Sequence, residues 1–268
     1  MCALRKSNSV RPKKSLGQHF LHDQNTAQRI VTALRVSDHG NVLEIGPGMG
    51  VLTQYLLQRD IKLKVIELDR ESVAYLKKNF PLLEGNIIEA DFLQYPITDL
   101  FEGSFNIIGN FPYNISSQIF FKVLEQRDKV SQVVCMLQKE VAERIAAPHG
   151  SKTYGILSVL LQSFYDIELL FKVSPGVFTP PPKVMSAVIR LQRNNVEHLP
   201  CDEKLFFQVV KQAFNTRRKT LRNALKNLNL AEDIATLPLL DKRAEQLSPT
   251  EFQNLTSLIG QSRGTSDR

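Results

Sequence analysis

The chain is poor in cysteine and in long apolar runs, and each shortage removes a class of protein. Its three cysteines, Cys2, Cys135 and Cys201, lie far apart. That spacing excludes a disulfide framework and a thiolate metal centre, so no metal is expected and the compartment is expected to be a reducing one, the cytoplasm. No stretch approaches the roughly 20 consecutive apolar residues that a membrane-crossing helix needs, so no membrane partner is expected. The first residues lack the apolar core of a secretory signal. A basic, serine-containing start would suit a transit peptide, but functional sequence from Ser15 would leave little to cleave. Acidic residues are missing from the start: Arg5, Lys6, Arg11, Lys13 and Lys14 all precede the first one, Asp23.

What is present is enough for a sizeable core. With 268 residues and 43% hydrophobic content, the chain has room for one main domain and a smaller partner. A net charge of +7 favours an anionic partner, nucleic acid first. The position of the charge matters more than its sum. Besides the basic start, a second cluster comprises Arg217, Arg218, Lys219, Arg222 and Lys226. A solvated charge run is the usual explanation of such clusters; basic helices beside a base-modifying site shift the balance toward nucleic acid.

Residues 1–14 read as a flexible basic arm. A helix pattern runs through Ala27, Ile30, Val31 and Leu34, with Asp23 or Asn25 as its cap. Asn41–Ile45 reads as a buried strand, and Gly46-Pro47-Gly48-Met49-Gly50 as a turn into a helix. Glycines let backbone approach a ligand, and helix-start amides can bond an anionic group. The next strand, Leu63–Glu67, ends on a carboxylate about twenty positions after the first glycine, the spacing of a ribose-binding acid. Glu44 and Asp69 are acidic neighbours, but Glu67 sits at the strand end. A dinucleotide site would want a glycine where Val51 stands, so the turn better suits a nucleoside cofactor without a pyrophosphate, such as S-adenosylmethionine. After a third strand, Asn86–Glu89, Asp91 is placed either to accept an adenine amino group or to cap a turn.

The fourth apolar run, Phe105–Gly109, delivers Asn110-Phe111-Pro112-Tyr113. Open α/β sheets bind ligands at such carboxyl ends. A polar amide, a proline and an aromatic here suit methylation of an amino group conjugated to a ring. The Asn110 oxygen and the carbonyl before Pro112 would accept the amino hydrogens, and Tyr113 would stack on the base. Stacking is worth roughly 1–3 kcal/mol per base, whereas alignment of two reactants can remove about 7–11 kcal/mol of barrier, so alignment is the larger effect. Alone, the four residues are as well explained by a turn after a strand; four successive strand ends suited to one elongated ligand shift the balance.

Helices are expected over Ser116–Gln126, Lys139–Ala147 and Ile156–Phe164, a strand over Lys129–Leu137, and an antiparallel pair at the sheet edge over Ile167–Val173 and Ser186–Leu191. Between these last two, Phe178 in a proline-rich loop reads as a ring closing over a flipped base or as a core residue, two readings that do not exclude each other. The composition shifts near Asn194. The expected domains are a methyltransferase domain over 15–194, a small all-helical RNA-binding domain over 195–260 that includes helices at Glu203–Phe214 and Thr216–Leu228, and a disordered tail over 261–268.

Together, Leu16-Gly17-Gln18-His19-Phe20-Leu21, Glu44-Ile45-Gly46-Pro47-Gly48, Val65-Ile66-Glu67-Leu68-Asp69, Asn110-Phe111-Pro112-Tyr113-Asn114-Ile115-Ser116, Leu137-Gln138-Lys139-Glu140, Phe178-Thr179-Pro180-Pro181-Pro182-Lys183-Val184 and Arg217-Arg218-Lys219-Thr220-Leu221-Arg222-Asn223 resemble the ribosomal RNA adenine dimethyltransferases of the KsgA/RsmA type, over nearly the whole chain. The resemblance implies an α/β fold, a Rossmann-like seven-stranded S-adenosylmethionine-dependent methyltransferase sheet with a small all-helical C-terminal domain. It implies dimethylation of N6 of two adjacent adenosines in the 3′-terminal hairpin of 16S rRNA, within a pre-ribosomal particle, by a monomer. It assigns His19, Leu21, Gly46, Glu67, Asp91 and Asn110 to the cofactor, and Asn110 also to the target amine. The extruded adenine would sit between Tyr113 and Phe178, and Arg217, Arg218, Lys219 and Arg222 would hold RNA. Two positions depart from the family's commoner residues: His19 replaces Asn and adds a titratable group, and Phe111 replaces Leu. The rival readings are a DNA adenine-N6 methyltransferase and a non-catalytic assembly or transcription factor on the same scaffold.

Overall fold

Continuous runs of β-branched and leucine side chains can be buried on both faces only in the middle of a parallel sheet. Val42, Leu43, Ile107, Ile108 and Val133 to Leu137 are such runs and are fully buried. The computed structural model describes residues 10–216 and 218–266. Its strands are β1 (Phe20–Leu21), β2 (Gly40–Ile45), β3 (Ile61–Glu67), β4 (Ile87–Glu89), β5 (Phe105–Asn110), β6 (Val130–Gln138), β7 (Tyr165–Val173), β8 (Phe178–Thr179) and β9 (Ser186–Arg193). Seven of them form one sheet in the order β4-β3-β2-β5-β6-β9-β7. The pairs from β4 to β6 are parallel and β6–β9 is antiparallel.

Helices α1 (Gln24–Ala33), α2 (Thr53–Leu56), α3 (Arg70–Asn79) and α4 (Ser116–Glu125) punctuate the parallel part. Of the two capping candidates it is Asp23 that starts α1, its Oδ1 accepting the Thr26 amide at 2.7 Å. At the other end Arg59 donates to the carbonyls of Val31 and Leu34, so orphan groups at both termini are satisfied. The buried stripe Ala27, Ile30, Val31 faces the sheet core. A fully buried aliphatic side chain contributes about 1.5–3 kcal/mol, so this stripe outweighs the cap.

The strand register positions the site. Ile45 pairs Ile66 on one side and Gly109 on the other, and Glu67 pairs Glu89. Gly46, Glu67, Asp91 and Asn110 therefore emerge at the same end of neighbouring strands. Connections leave β2 toward β3 on one side and β5 lies on the other, which makes the crevice at β2 a topological switch point.

The chain divides into two compact units, residues 1–142 with 168–193, and 143–167 with 194–268. The bounds read from composition leave 143–167 with the methyltransferase part. In the structure this segment holds α6 (Ile156–Gln162), buried from Leu157 to Leu161, which packs on α7 (Glu203–Asn215) and α10 (Pro249–Ser266). Its other boundary helix is α5 (Lys139–Ala146). An apolar helix must find apolar partners, and these are helical.

Three further expectations are corrected. No single helix spans 216–228: Thr220 bridges Arg243, the Leu221 amide bonds the Lys242 carbonyl, and α8 is confined to Leu221–Ala224 before a 3₁₀ turn at Lys226–Leu228. Tertiary bonds override propensity here. Arg218 and Lys219 precede the helix, and Arg217 lies outside the described residues. A short helix, α9, covers Glu232–Ala235. The expected tail from Gln261 continues α10 to Ser266; once Phe252, Leu255 and Ile259 are buried, extension costs no new nucleus. The arm expected over 1–14 is held at its end, where Lys13 pairs with Asp69 and with Glu71 at 3.0 Å; residues 1–9 lie outside the description.

Candidate active site

A cleft of about 180 Å³ opens at the carboxyl ends of β2, β3, β4 and β5, walled also by Ser15–Phe20. Gly46 and Gly48 turn the chain there with φ of 63° and 55°, a region costly for any side chain with a Cβ. A Cβ at Gly46 would meet nothing within 4 Å, while one at Gly48 would strike the Phe20 ring at 2.9 Å. The first glycine opens the cleft floor and the second allows close packing behind it.

Glu67 is 7% exposed, and its two oxygens accept the Asp69 amide at 2.9 Å and the Gly48 amide at 3.0 Å. Burial raises its pKa, and the backbone bonds oppose the rise. A carboxylate has about four lone-pair sites, so capacity remains for two hydroxyls. Asp91 on the same cleft accepts the Leu93 amide at 2.9 Å and the Gln94 carboxamide at 3.1 Å. Behind Glu67, Glu44 is 1% exposed and accepts the Thr53 hydroxyl at 2.7 Å. Burial pushes its pKa up to about 8, so Glu44 is mostly protonated at neutral pH and braces the turn.

Asn110 is oriented by its own neighbour. Its Nδ2 donates to the His19 carbonyl at 3.0 Å. A carbonyl can only accept, so the carboxamide nitrogen must face it and the oxygen is left for another donor. His19 Nδ1 donates to the Pro180 carbonyl at 2.7 Å, and its ring stacks on Tyr113 with centroids 5.5 Å apart. The Tyr113 hydroxyl pairs with Ser186 Oγ at 2.6 Å, and burial raises its pKa. Tyr113 is thereby held as a flat ring with its polar end occupied.

The structure thus brings His19, Gly46, Glu67, Asp91, Asn110 and Tyr113 around one cleft. It does not bring Phe178 there. That ring is 2% exposed, and the pairing of β8 with β1, Leu21 opposite Phe178, sets it in the same core cluster as Val188, so its packing role is the one the structure describes. Leu21 is also a core side chain, 4% exposed, bordering a hollow of about 30 Å³ next to Gly46 and Asn110 rather than the cleft itself. Phe111 is buried against Phe120. Arg222, expected to hold RNA, gives its guanidinium to Asp241 and to the carbonyls of Ala235 and Leu237. Arg218 and Lys219 are exposed. Sequence reasoning did not single out Thr53 or Ser186, and took Lys13 only as part of a basic start; Lys13 and Ser186 act through partners distant in sequence, which no local pattern announces.

The donor set fits S-adenosylmethionine: paired carboxylate oxygens suit a ribose, an aspartate at the next strand end suits an amino purine, and the side of Gly46 is open. Among the described residues no group of three or more His, Cys, Asp or Glu could hold a metal ion, and no helix is long and apolar enough to cross a membrane.

The chain is similar to known proteins over most of its length. A family profile described as ribosomal RNA adenine dimethylase matches residues 10–259. A protein of Cytophaga hutchinsonii named ribosomal RNA small subunit methyltransferase A is 61% identical over 254 residues, 93% of this chain and 98% of that one. Its namesake in Parabacteroides distasonis is 60% identical, covering 94% and 95%. Among solved structures, a dimethyladenosine transferase from Plasmodium falciparum superposes with a TM-score of 0.75 at 27% identity, over 88% of this chain and 96% of that one.

Proposed function

The chain belongs to the ribosomal RNA adenine dimethylase family, and on that premise we propose that it dimethylates N6 of two adjacent adenosines in the 3′-terminal hairpin of 16S rRNA during small-subunit assembly. It is an S-adenosylmethionine-dependent ribosomal RNA methyltransferase. Its partner is ribosomal RNA, met in a pre-ribosomal particle in the cytoplasm by a single copy of the chain. The observation that carries the reading is the forced orientation of Asn110, which leaves a carboxamide oxygen to accept at the cleft.

When bound, S-adenosylmethionine would supply an electrophilic methyl group for transfer to the target amine. Glu67 holds the ribose hydroxyls, Asp91 the adenine amino group, and His19 and Gly46 shape the remaining wall. Leu21 supports that wall from the core. Asn110 Oδ1 and the Phe111 carbonyl accept hydrogens of the target N6, turning its lone pair out of conjugation with the base. Tyr113, braced by His19 and Ser186, stacks on that base. The amine loses its proton to solvent after methyl transfer. Extrusion costs a few kcal/mol, less for an already unpaired base, which favours a looped hairpin. Arg218 and Lys219, with Arg217, contact phosphates.

The test is to incubate the protein and S-adenosylmethionine with unmethylated small-subunit particles and read the RNA by primer extension. A dimethylated N6 has no hydrogen left for pairing, so stops are expected at two adjacent adenosines near the 3′ end. Label appearing in DNA instead, or no stop at all, would reject the assignment.

A further inference from the structure

The loop that follows β4 is wound around Asp91. Its carboxylate accepts the Leu93 amide, and its carbonyl accepts the amides of Gln94 at 3.1 Å and Tyr95 at 2.9 Å. The price of that winding is a set of carbonyls pointed outward together. Three of them, from Phe92, Leu93 and Tyr95, converge on one atom, Lys122 Nζ, at 2.6, 3.0 and 2.5 Å.

An ammonium has three N–H donors and no acceptor, and here all three are used on a single five-residue loop. The same nitrogen stands 5.2 Å from the centroid of the Phe92 ring. Partial burial lowers the Lys122 pKa, as expected of a charge drawn from water toward carbonyls. Without this cation the convergent carbonyl dipoles repel one another. Lys122 lies in α4, the helix that directly follows Asn110–Ile115, and both that segment and Asp91–Leu93 line the cleft. One helix is thus continuous with the acceptor wall at its start and tied to the far wall by its second turn.

We propose that Lys122 is a positioning residue that fixes the Asp91–Leu93 wall, so that the cleft selects a 6-amino over a 6-oxo purine in its cofactor. The inference rests on reading the cleft as an S-adenosylmethionine site. Lys122 touches no cofactor or substrate atom; it acts through the loop. The physical reason is that discrimination depends on placing the Asp91 acceptor against an amino donor to within a few tenths of an ångström. A loop free to relax can accommodate a carbonyl at that position.

The experiment measures binding of S-adenosylhomocysteine and of S-inosylhomocysteine, by titration calorimetry, to the wild-type chain and to Lys122→Met. The wild type is expected to prefer the adenosyl compound. Lys122→Met should weaken adenosyl binding about tenfold, the scale of one charge-assisted hydrogen bond, and inosyl binding by much less, so the preference shrinks. In turnover, KM for S-adenosylmethionine should rise by a similar factor while kcat at saturation changes less than twofold or so. Should Lys122→Met fail to fold, Lys122→Gln keeps two N–H donors and is read the same way, with an intermediate loss of preference expected. Equal weakening of both compounds, or no weakening, would overturn the inference, since a merely structural lysine lowers stability without changing selectivity. A wild-type chain that binds neither compound would overturn the cofactor reading itself, and the inference with it.

Discussion

In the α/β unit, the polar residues singled out at strand ends keep unused capacity toward a ligand; in the helical unit, the conspicuous arginine has spent its own. Asn110 uses its nitrogen on His19 and retains its oxygen. Glu67 accepts one backbone amide per oxygen and retains lone pairs. Arg222 instead bonds Asp241 and two carbonyls of its own unit. A strand end is fixed by the sheet behind it, so its side chains need not stabilise the fold and can face a ligand. A segment as short as α8, four residues long, makes few intrahelical hydrogen bonds of its own, and a long charged side chain becomes its fastener.

The sharpest way to break this contrast is Asn110→Ala. By analogy with removal of one preorganised group at a reacting centre, kcat should fall about 10²–10³-fold, with S-adenosylhomocysteine affinity in calorimetry changed only a few fold. Unchanged turnover would place Asn110 among ordinary turn residues. Glu67→Gln is expected to weaken S-adenosylmethionine binding by about tenfold, since hydrogen bonds to a charged group are worth about 1.5–3 kcal/mol; equal affinity in the variant would mean the ribose lies elsewhere.

Within the helical unit the contrast predicts that neighbours behave differently. Replacing Arg218 and Lys219 together by alanine should reduce the slope of log affinity for RNA against log salt by about 1.4–1.8, at roughly 0.7–0.9 per phosphate contact. Arg222→Ala should leave that slope alone and lower the melting temperature by a few degrees, as expected of about 1 kcal/mol in a domain of this size. The reverse pattern would exchange the two roles.

A further effect concerns pH. Glu44 is protonated in the folded chain up to about pH 8 and ionised when unfolded above about 4.5, so the folded state binds more protons in that window and stability falls as pH rises through it. Glu44→Gln removes this loss. Its stability relative to wild type, measured by urea unfolding, should therefore increase from pH 5 to pH 8; a flat difference would mean that Glu44 is ionised in the fold.

Much of the α/β unit was legible because a buried parallel strand announces itself by composition and its end by a change to glycine, acid or amide. Gly46, Glu67, Asp91 and Asn110 all follow that rule. Phe178 was not, because an aromatic in a proline-rich loop reads alike as lid or as core. The choice is made by pairing with Phe20–Leu21, more than 150 positions away in sequence. Shorter but still non-local separations, of 56, 73 and 30 positions, hid Lys13 at Asp69, Ser186 at Tyr113 and Lys122 at the loop after β4. The helix expected over 216–228 failed for a related reason: its propensity was adequate, but Thr220 and Leu221 had partners at Arg243 and Lys242. Local chemistry marks where backbone changes course; it does not mark which distant carbonyl or carboxylate will claim a side chain.

The central claim is that one nucleoside ligand lies along these strand ends with its reactive carbon presented to the Asn110 oxygen. A crystal structure of the chain soaked with S-adenosylhomocysteine tests it most directly. The account predicts ribose hydroxyls on Glu67, the adenine edge at Asp91, and the sulfur facing an Asn110 carboxamide still bonded through nitrogen to the His19 carbonyl. A ligand bound away from Glu67, or a carboxamide rotated to withdraw its oxygen from the sulfur, would contradict it.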